Sequence, residues 1–230
     1  MNATFLQWDS DFFERRAYKL EVANEPSKSA LLQAIDEAEG NLYYIFSKKD
    51  YPVFDEIGAK LVDTKLVYAI NLENTLPPNT EGIVSYTNED TTDLLSLAIL
   101  SGTYSRFKTD KVISGKFEAM YNLWLTRSLN RQIADEVFIY KTGRKTTGFV
   151  TVKQSGGNTG VIGLIAVDEA EQGKSIGKQL VNKVKAWCRD NGIKKLTVAT
   201  QKENRPACRF YERCGFTVDT EDFIYHYHRA

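Results

Sequence analysis

Apolar residues along this chain recur in short blocks with two different periods, and the alternation between those periods outlines a fold. Over 29–39, Ala30, Leu31, Ala34, Ile35 and Ala38 fall at helical spacing. The blocks 42–46 and 66–72 are rich in Tyr, Ile and Val and predict strands. Leu76-Pro77-Pro78-Asn79 then breaks the pattern. Proline fixes φ and removes a donor, so this segment reads as a linker between two units, 1–75 and 81–230. Beyond it the pattern predicts a strand at 83–86, helices at 91–100 and 116–129, and strands at 137–141, 147–153 and 161–167. The next helix has an apolar face of Ile176, Leu180, Val181, Val184, Trp187 and Cys188, stopped by Asn191-Gly192. A strand at 195–201, a short helix and a last strand complete the chain. A meander of strands followed by alternating helix and strand argues for an α/β fold with a mixed sheet.

A faint internal echo links the two units. Ile57-Gly58, Val62-Asp63-Thr64 and Tyr68 match Cys214-Gly215, Val218-Asp219-Thr220 and Tyr225, with spacings that agree within one residue. Two similar chain reversals produce such an echo, and so does a first unit that is a shortened relative of the second.

Composition narrows the partners. The 30 basic and 30 acidic side chains cancel, which gives no support to a nucleic-acid footprint or a polybasic membrane anchor. No apolar run approaches the ~20 residues that cross a bilayer. The first ten residues lack the basic-then-apolar order of a secretory signal. Three cysteines, an odd count, fit a reducing compartment better than a disulfide framework. The expectation is a soluble cytoplasmic protein with no nucleic-acid or membrane partner.

The chemistry concentrates where the strand at 161–167 gives way to the amphipathic helix, through Asp168-Glu169-Ala170-Glu171-Gln172-Gly173-Lys174-Ser175. A helix N-terminus presents unpaired N–H groups and the positive end of the macrodipole. Gly173 and Gly177 remove side chains that would hold a phosphate away from that backbone. The same segment also reads as a tight strand-to-helix turn with no ligand. Gly173-Lys174-Ser175 has the ending of a nucleotide-triphosphate loop, but the first glycine of that loop would fall at Asp168, whose carboxylate would face the phosphates.

A second segment runs from Asn204 to Phe216. Local physics makes it a short helix: Pro206 suits the first turn, Ala207, Phe210 and Cys214 share a face, and Gly215 ends it. Cys188, Cys208 and Cys214 lack the spacing of metal ligands. His226 and His228 share one face of a strand, as a metal pair would. With no third ligand nearby in the sequence they read as solvent-facing, and no metal is expected.

Taken together, in this order and with a strand between them, the two segments resemble the GCN5-related N-acetyltransferases (GNAT). Gln172-Gly173-Lys174-Ser175-Ile176-Gly177 is similar to the family's [QR]-x-x-G-x-[GA] pyrophosphate loop, with Ser175 where the family usually has Gly. The stretch 204–216 is similar to its N-x-x-A-x-x-x-Y-x-x-x-G-F motif. The resemblance implies the acetyltransferase fold over 81–230, a mixed, mostly antiparallel sheet flanked by helices. It also implies a smaller, truncated acetyltransferase-like unit at 1–75. Acetyl-CoA is the implied co-substrate. In that fold the strand before the loop splays from the next one, so Ile165, Ala166 and Val167 would meet the pantetheine arm, and a backbone N–H there would polarise the thioester carbonyl. Gln172, Gly173, Lys174, Ser175, Ile176, Gly177 and Lys178 would hold the pyrophosphate. Asn204 would bond the cofactor or cap its helix, and Tyr211 would contact the cofactor and return a proton to the departing thiolate.

A patchier similarity covers Trp8-Asp9-Ser10-Asp11-Phe12-Phe13, Tyr104-Ser105-Arg106-Phe107, Phe117, Tyr121, Trp124 and Val198-Ala199-Thr200-Gln201. It is to the bacterial members of the family that acetylate the 4-amino group of a dTDP-4-amino-4,6-dideoxygalactose. That implies a nucleotide-sugar acceptor, with Arg106 on the diphosphate and Phe107 stacked on a base or sugar. Read alone, the two residues are equally a solvated loop charge and a core anchor. Another small amine as acceptor, or an acyl-CoA-binding regulator without turnover, are the alternatives, and assembly as a homodimer stays open. The amine must lose a proton to attack. Glu169, Glu171 and Glu203 lie near the motifs, and the sequence does not choose among them.

Overall fold

The computed structural model describes residues 2–72, 80, 82–88 and 90–229, so the Pro77-Pro78 linker lies outside the described residues. In the first stretch the elements are β1 (Ala3–Phe5), α1 (Gln7–Phe13), β2 (Ala17–Val22), α2 (Lys28–Ala38), β3 (Leu42–Ser47), α3 (Val53–Glu56) and β4 (Lys60–Asn71). The second stretch opens with β5 (Ile83–Ser85), α4 (Thr92–Ser101), α5 (Arg106–Thr109) and α6 (Phe117–Leu129). It continues with β6 (Glu136–Thr142), β7 (Lys145–Ser155), β8 (Thr159–Val167), α7 (Ile176–Asp190), β9 (Lys195–Gln201), α8 (Arg205–Arg213) and β10 (Thr217–His228).

All ten strands join one sheet in the order β1-β2-β3-β10-β4-β9-β8-β7-β6-β5. The neighbours are antiparallel except β2 with β3 and β8 with β9. Side-chain alternation sorts the helices onto its two faces. On β3, Leu42 and Tyr44 pack with α4, α5 and α6, while Tyr43 and Ile45 pack with α2 and α3. On β6, Val137 and Ile139 face α4 and α6, while Phe138 faces α7. One face is therefore covered by α1, α4, α5 and α6, and the other by α2, α3, α7 and α8.

The sheet order explains the echo in the sequence. The run β1-β2-α2-β3-α3-β4 repeats the connectivity of β7-β8-α7-β9-α8-β10, including one antiparallel and one parallel pairing at the same steps. The two final strands have changed places. β10 pairs with β3, β4 pairs with β9, and the two lie antiparallel against each other from Thr217↔Ala69 to His226↔Lys60. Gly58 and Gly215 occupy matching reversals just before them, with φ of +82° and +88° that a β-carbon disfavours. Among its described residues the first stretch has no counterparts of β5, β6 and α4 to α6, and its strands hydrogen-bond within the sheet of the second.

Candidate active site

The two halves differ where a cofactor would lie. β2 and β3 stay paired from Ala17↔Leu42 to Val22↔Ser47, and the turn that follows β2 contains Pro26 and no glycine. β8 and β9 pair only from Thr159↔Lys195 to Ile162↔Val198. Beyond that point 163–167 of β8 and 199–201 of β9 diverge, each still held by its outer neighbour. A β-bulge starts the divergence. Between Val150 and Val152 of β7 the register on β8 skips from Ile165 to Ile162, and the Leu164 N–H donates to Thr151 Oγ1 at 2.8 Å. Parity flips there: Ile162 packs beneath α7, whereas Leu164 and Ala166 pack beneath α4 and α6. Backbone groups of 163–167 on the β9 side thus have no strand partner, and the Val167 carbonyl accepts instead from Gln172 Nε2 at 3.1 Å, which leaves the groups before it for another chain-like partner.

The rim ends at a loop shaped for an anion. Asp168 caps a single 3₁₀ turn, Glu169–Glu171, by accepting from Ala170 N at 3.0 Å, and its carboxylate is engaged by Lys145 Nζ. Gly173 has φ +80° with nothing within 4 Å of the position a β-carbon would take. Ser175 sits at φ +63° and forms no side-chain cap. The helix's own bonds begin with Gln179 N donating to Ser175 O at 3.1 Å, leaving the Ile176, Gly177 and Lys178 amides to point out of the first turn. Gly177 has a different role from the one its motif suggests. A β-carbon there meets the Phe210 ring at 3.2 Å, so this glycine brings α7 close to α8.

α8 follows the end of β9. Asn204 Oδ1 accepts from Ala207 N at 3.2 Å and caps it, with Pro206 in the first turn. Tyr211 is 4% exposed, between Tyr68, Phe210 and Phe216. Burial pushes its hydroxyl well above the ordinary phenol value, so it keeps its proton through the neutral range.

On the opposite face a cluster of buried polar side chains, here called the polar chamber, gathers over β3, β10 and β4. Its centre is the Arg106 guanidinium, over the rings of Phe107 at 4.2 Å and Tyr44 at 5.3 Å. Among the described residues no carboxylate lies within ion-pair distance of it. Arg106 Nε, Tyr44 Oη, Asp63 Oδ1 and His226 Nε2 are all buried without a hydrogen-bond partner. Burial raises the Asp63 carboxyl from its ordinary 3.8 to about 6, against the pull of Arg106, Lys65 and Gln201. Asp9 of α1 is raised by burial as well, with Arg106 opposing.

Four expectations change here. Phe107 is 5% exposed and packs against Phe13, Tyr44 and Trp124, so its ring belongs to the core and has no face left for a base or sugar. Arg106 is no solvated loop charge, because its guanidinium packs over the rings of Tyr44, Phe46 and Phe107 and its Nε is buried. Glu169 and Glu203 are exposed and Glu171 is tied to Lys174 at 3.0 Å, while Asp63, from the first stretch, is a buried carboxyl held above its ordinary range. His226 is 1% exposed rather than solvent-facing. Asp110, just after α5, takes its Nδ1–H at 2.5 Å and the His228 Nε2–H at 2.8 Å on a single oxygen. Burial drives the His226 imidazole down to about 4, so it is neutral at pH 7. These three are a group among the described residues whose ligand atoms approach closely enough to share a cation. The contacts are those of hydrogen bonds to one acceptor.

This topology, with the splayed strand, the glycine loop and the helix start, is the GNAT fold. Residues 104–216 match the model of the Acetyltransferase (GNAT) family. Mycothiol acetyltransferase of Corynebacterium glutamicum (strain R) is 29% identical over 92 residues, 40% of this chain and 31% of that protein. Streptothricin acetyltransferase of Escherichia coli is 32% identical over 60 residues, 26% of this chain and 34% of that protein. The chain thus spans about a third of the length of these curated relatives. A solved tandem GNAT protein from the clavulanic acid biosynthesis pathway superposes with a TM-score of 0.55 at 12% identity, over 87% of this chain and 69% of that one. No helix of the described residues is long and apolar enough to cross a membrane.

Proposed function

We propose that this protein transfers the acetyl group of acetyl-CoA to the amine of a small polar acceptor. The observation that carries the reading is the unpaired rim of β8 at 163–167, which runs into a glycine loop and three free amides at the start of α7. The rim suits the amide-rich pantetheine arm, with Ile165, Ala166 and Val167 as its partners, and the loop from Gln172 to Lys178 suits the pyrophosphate. Two curated relatives are themselves named as acetyltransferases.

In the reaction the amine nitrogen attacks the thioester carbonyl carbon and the C–S bond breaks. A β8 amide stabilises the oxyanion, and Tyr211 gives its proton to the leaving thiolate. The acceptor enters over the opposite face, where the unpartnered Arg106 suits an anionic group such as a nucleotide-sugar diphosphate. A dTDP-4-amino-4,6-dideoxygalactose is therefore the first acceptor to test. The assay is thiol release from acetyl-CoA against a panel of amino-sugar nucleotides and other small amines. Turnover of at least one amine is expected. Acetyl-CoA binding with no turnover on any of them would make the chain an acyl-CoA-binding regulator instead.

A further inference from the structure

The chamber contains a carboxylate that no motif accounts for. Asp63 lies on β4, two residues beyond Lys65, which pairs with Gln201 at the diverging end of β9. Lys202 N donates to Thr64 O at 2.8 Å, fastening β4 to the chain just past that end. Asp63 is 7% exposed, and its Oδ1 has no partner although the site is built of polar groups. A buried acceptor left open in this way is costly unless something that donates a proton fills it.

We propose that Asp63 is the base that takes the proton from the acceptor amine, so that the shortened first half supplies a catalytic group to the site in the second. The inference rests on the acetyltransferase reading above. The step balances: the amine N–H proton passes to Asp63 Oδ1 as the C–N bond forms, while the thiolate takes its proton from Tyr211 on the other side of the sheet. The groups facing Asp63 favour this assignment. Arg106 of α5 and Lys65 of its own strand keep part of the carboxylate population ionised near neutrality, and Gln201 of β9 and Tyr121 of α6 are the polar neighbours from the remaining walls. On β10, Asp222 faces Lys65 and His226 faces Arg106, one strand away.

The test compares wild type, Asp63→Asn and Asp63→Glu, using dTDP-4-amino-4,6-dideoxygalactose or whichever panel amine the wild type turns over. Acetyl-CoA affinity is measured by calorimetry and kcat/KM followed from pH 5 to 9. The expected result is an acidic limb near pH 6 in the wild type that is absent in Asp63→Asn. With it comes a fall in kcat of about 10²-fold or more with acetyl-CoA affinity kept, and partial recovery in Asp63→Glu. An Asp63→Asn variant within threefold of wild-type kcat and with the same acidic limb overturns the proposal while leaving the acetyltransferase reading intact. Loss of acetyl-CoA binding together with turnover also overturns it, because that is a structural defect. A wild type that turns over no amine removes the function and the base with it.

Discussion

A base held in a buried site should cost the protein stability, and the size of that cost follows from the structure. Burial lifts the Asp63 carboxyl from 3.8 to about 6 on folding. The folded chain therefore binds this proton more readily than the unfolded one, and the stabilisation is complete below pH 3.8 and lost as the pH rises through about 6. At 1.36 kcal/mol per pH unit, the full swing is about 3 kcal/mol, of which roughly half falls between pH 5 and pH 8. Asparagine keeps the shape of the protonated acid and has nothing to lose over this range. Asp63→Asn should thus gain on the wild type as the pH rises, by about 1–1.5 kcal/mol between pH 5 and 8. For a chain of this size that raises the variant's Tm relative to wild type by roughly 2–6 °C. Thermal melts of both proteins in matched buffers at the two pH values read it directly, with no acceptor required. A Tm for Asp63→Asn that does not rise relative to wild type between pH 5 and 8 would refute the argument that Asp63 is an ionised group confined by its surroundings.

Ser175 holds a left-handed conformation at φ +63° and caps nothing, so Ser175→Gly should stabilise the protein by about 0.5–1 kcal/mol in chemical denaturation. It should leave acetyl-CoA affinity equal or tighter; weaker binding would show that the hydroxyl, not the amide, serves the pyrophosphate. Arg106→Lys keeps the charge but loses the planar fork. It should raise the acceptor KM about tenfold, the worth of one charge-assisted hydrogen bond, while the acetyl-CoA constant stays put. Tyr211→Phe deletes one hydroxyl from a packed ring, so Tm should hardly move. Turnover should fall by about 10² with acetyl-CoA affinity kept, measured where chemistry limits the rate; near-wild-type turnover would assign the thiolate's proton to another donor.

Local periodicity made the splayed strand, the glycine loop and α7 legible. The strand at 195–201 and the helix from Ile176 are where the pattern puts them, and the turn glycines marked the loop. Even there the pattern concealed Lys185, which lies on the buried side of α7 and donates from Nζ to Cys214 O at 2.6 Å. The chamber was not legible, for two physical reasons. Its residues meet through strand order and not through spacing: Asp110 and His226 are 116 positions apart and touch only because β10 runs beside β3. Its residues also look like surface. Lys60, Asp63 and Lys65 give the first half of β4 the polarity of a loop, so the apolar pattern finds only the second half of that strand. The echo between 57–68 and 214–225 was the one signal of the exchange, and it carried no sign of which strand would sit in which place.

The exchange of β4 and β10 binds the two halves more firmly than a linker between units suggests. β4 covers the outer edge of β9 along its whole length, from Lys195 to Gln201, and places Leu66 and Tyr68 beside Leu196 and Val198 in the core beneath α7 and α8. Without β4, β9 would be a bare edge carrying half-exposed apolar residues, and the strand whose divergence opens the rim of β8 would have no fixed outer neighbour. The opposite face of β4 delivers Asp63 and Lys65 to the chamber, and β3 delivers Tyr44. A first half with no splay and no glycine loop thus contributes a strand that braces the rim and side chains that line the polar cluster around Arg106.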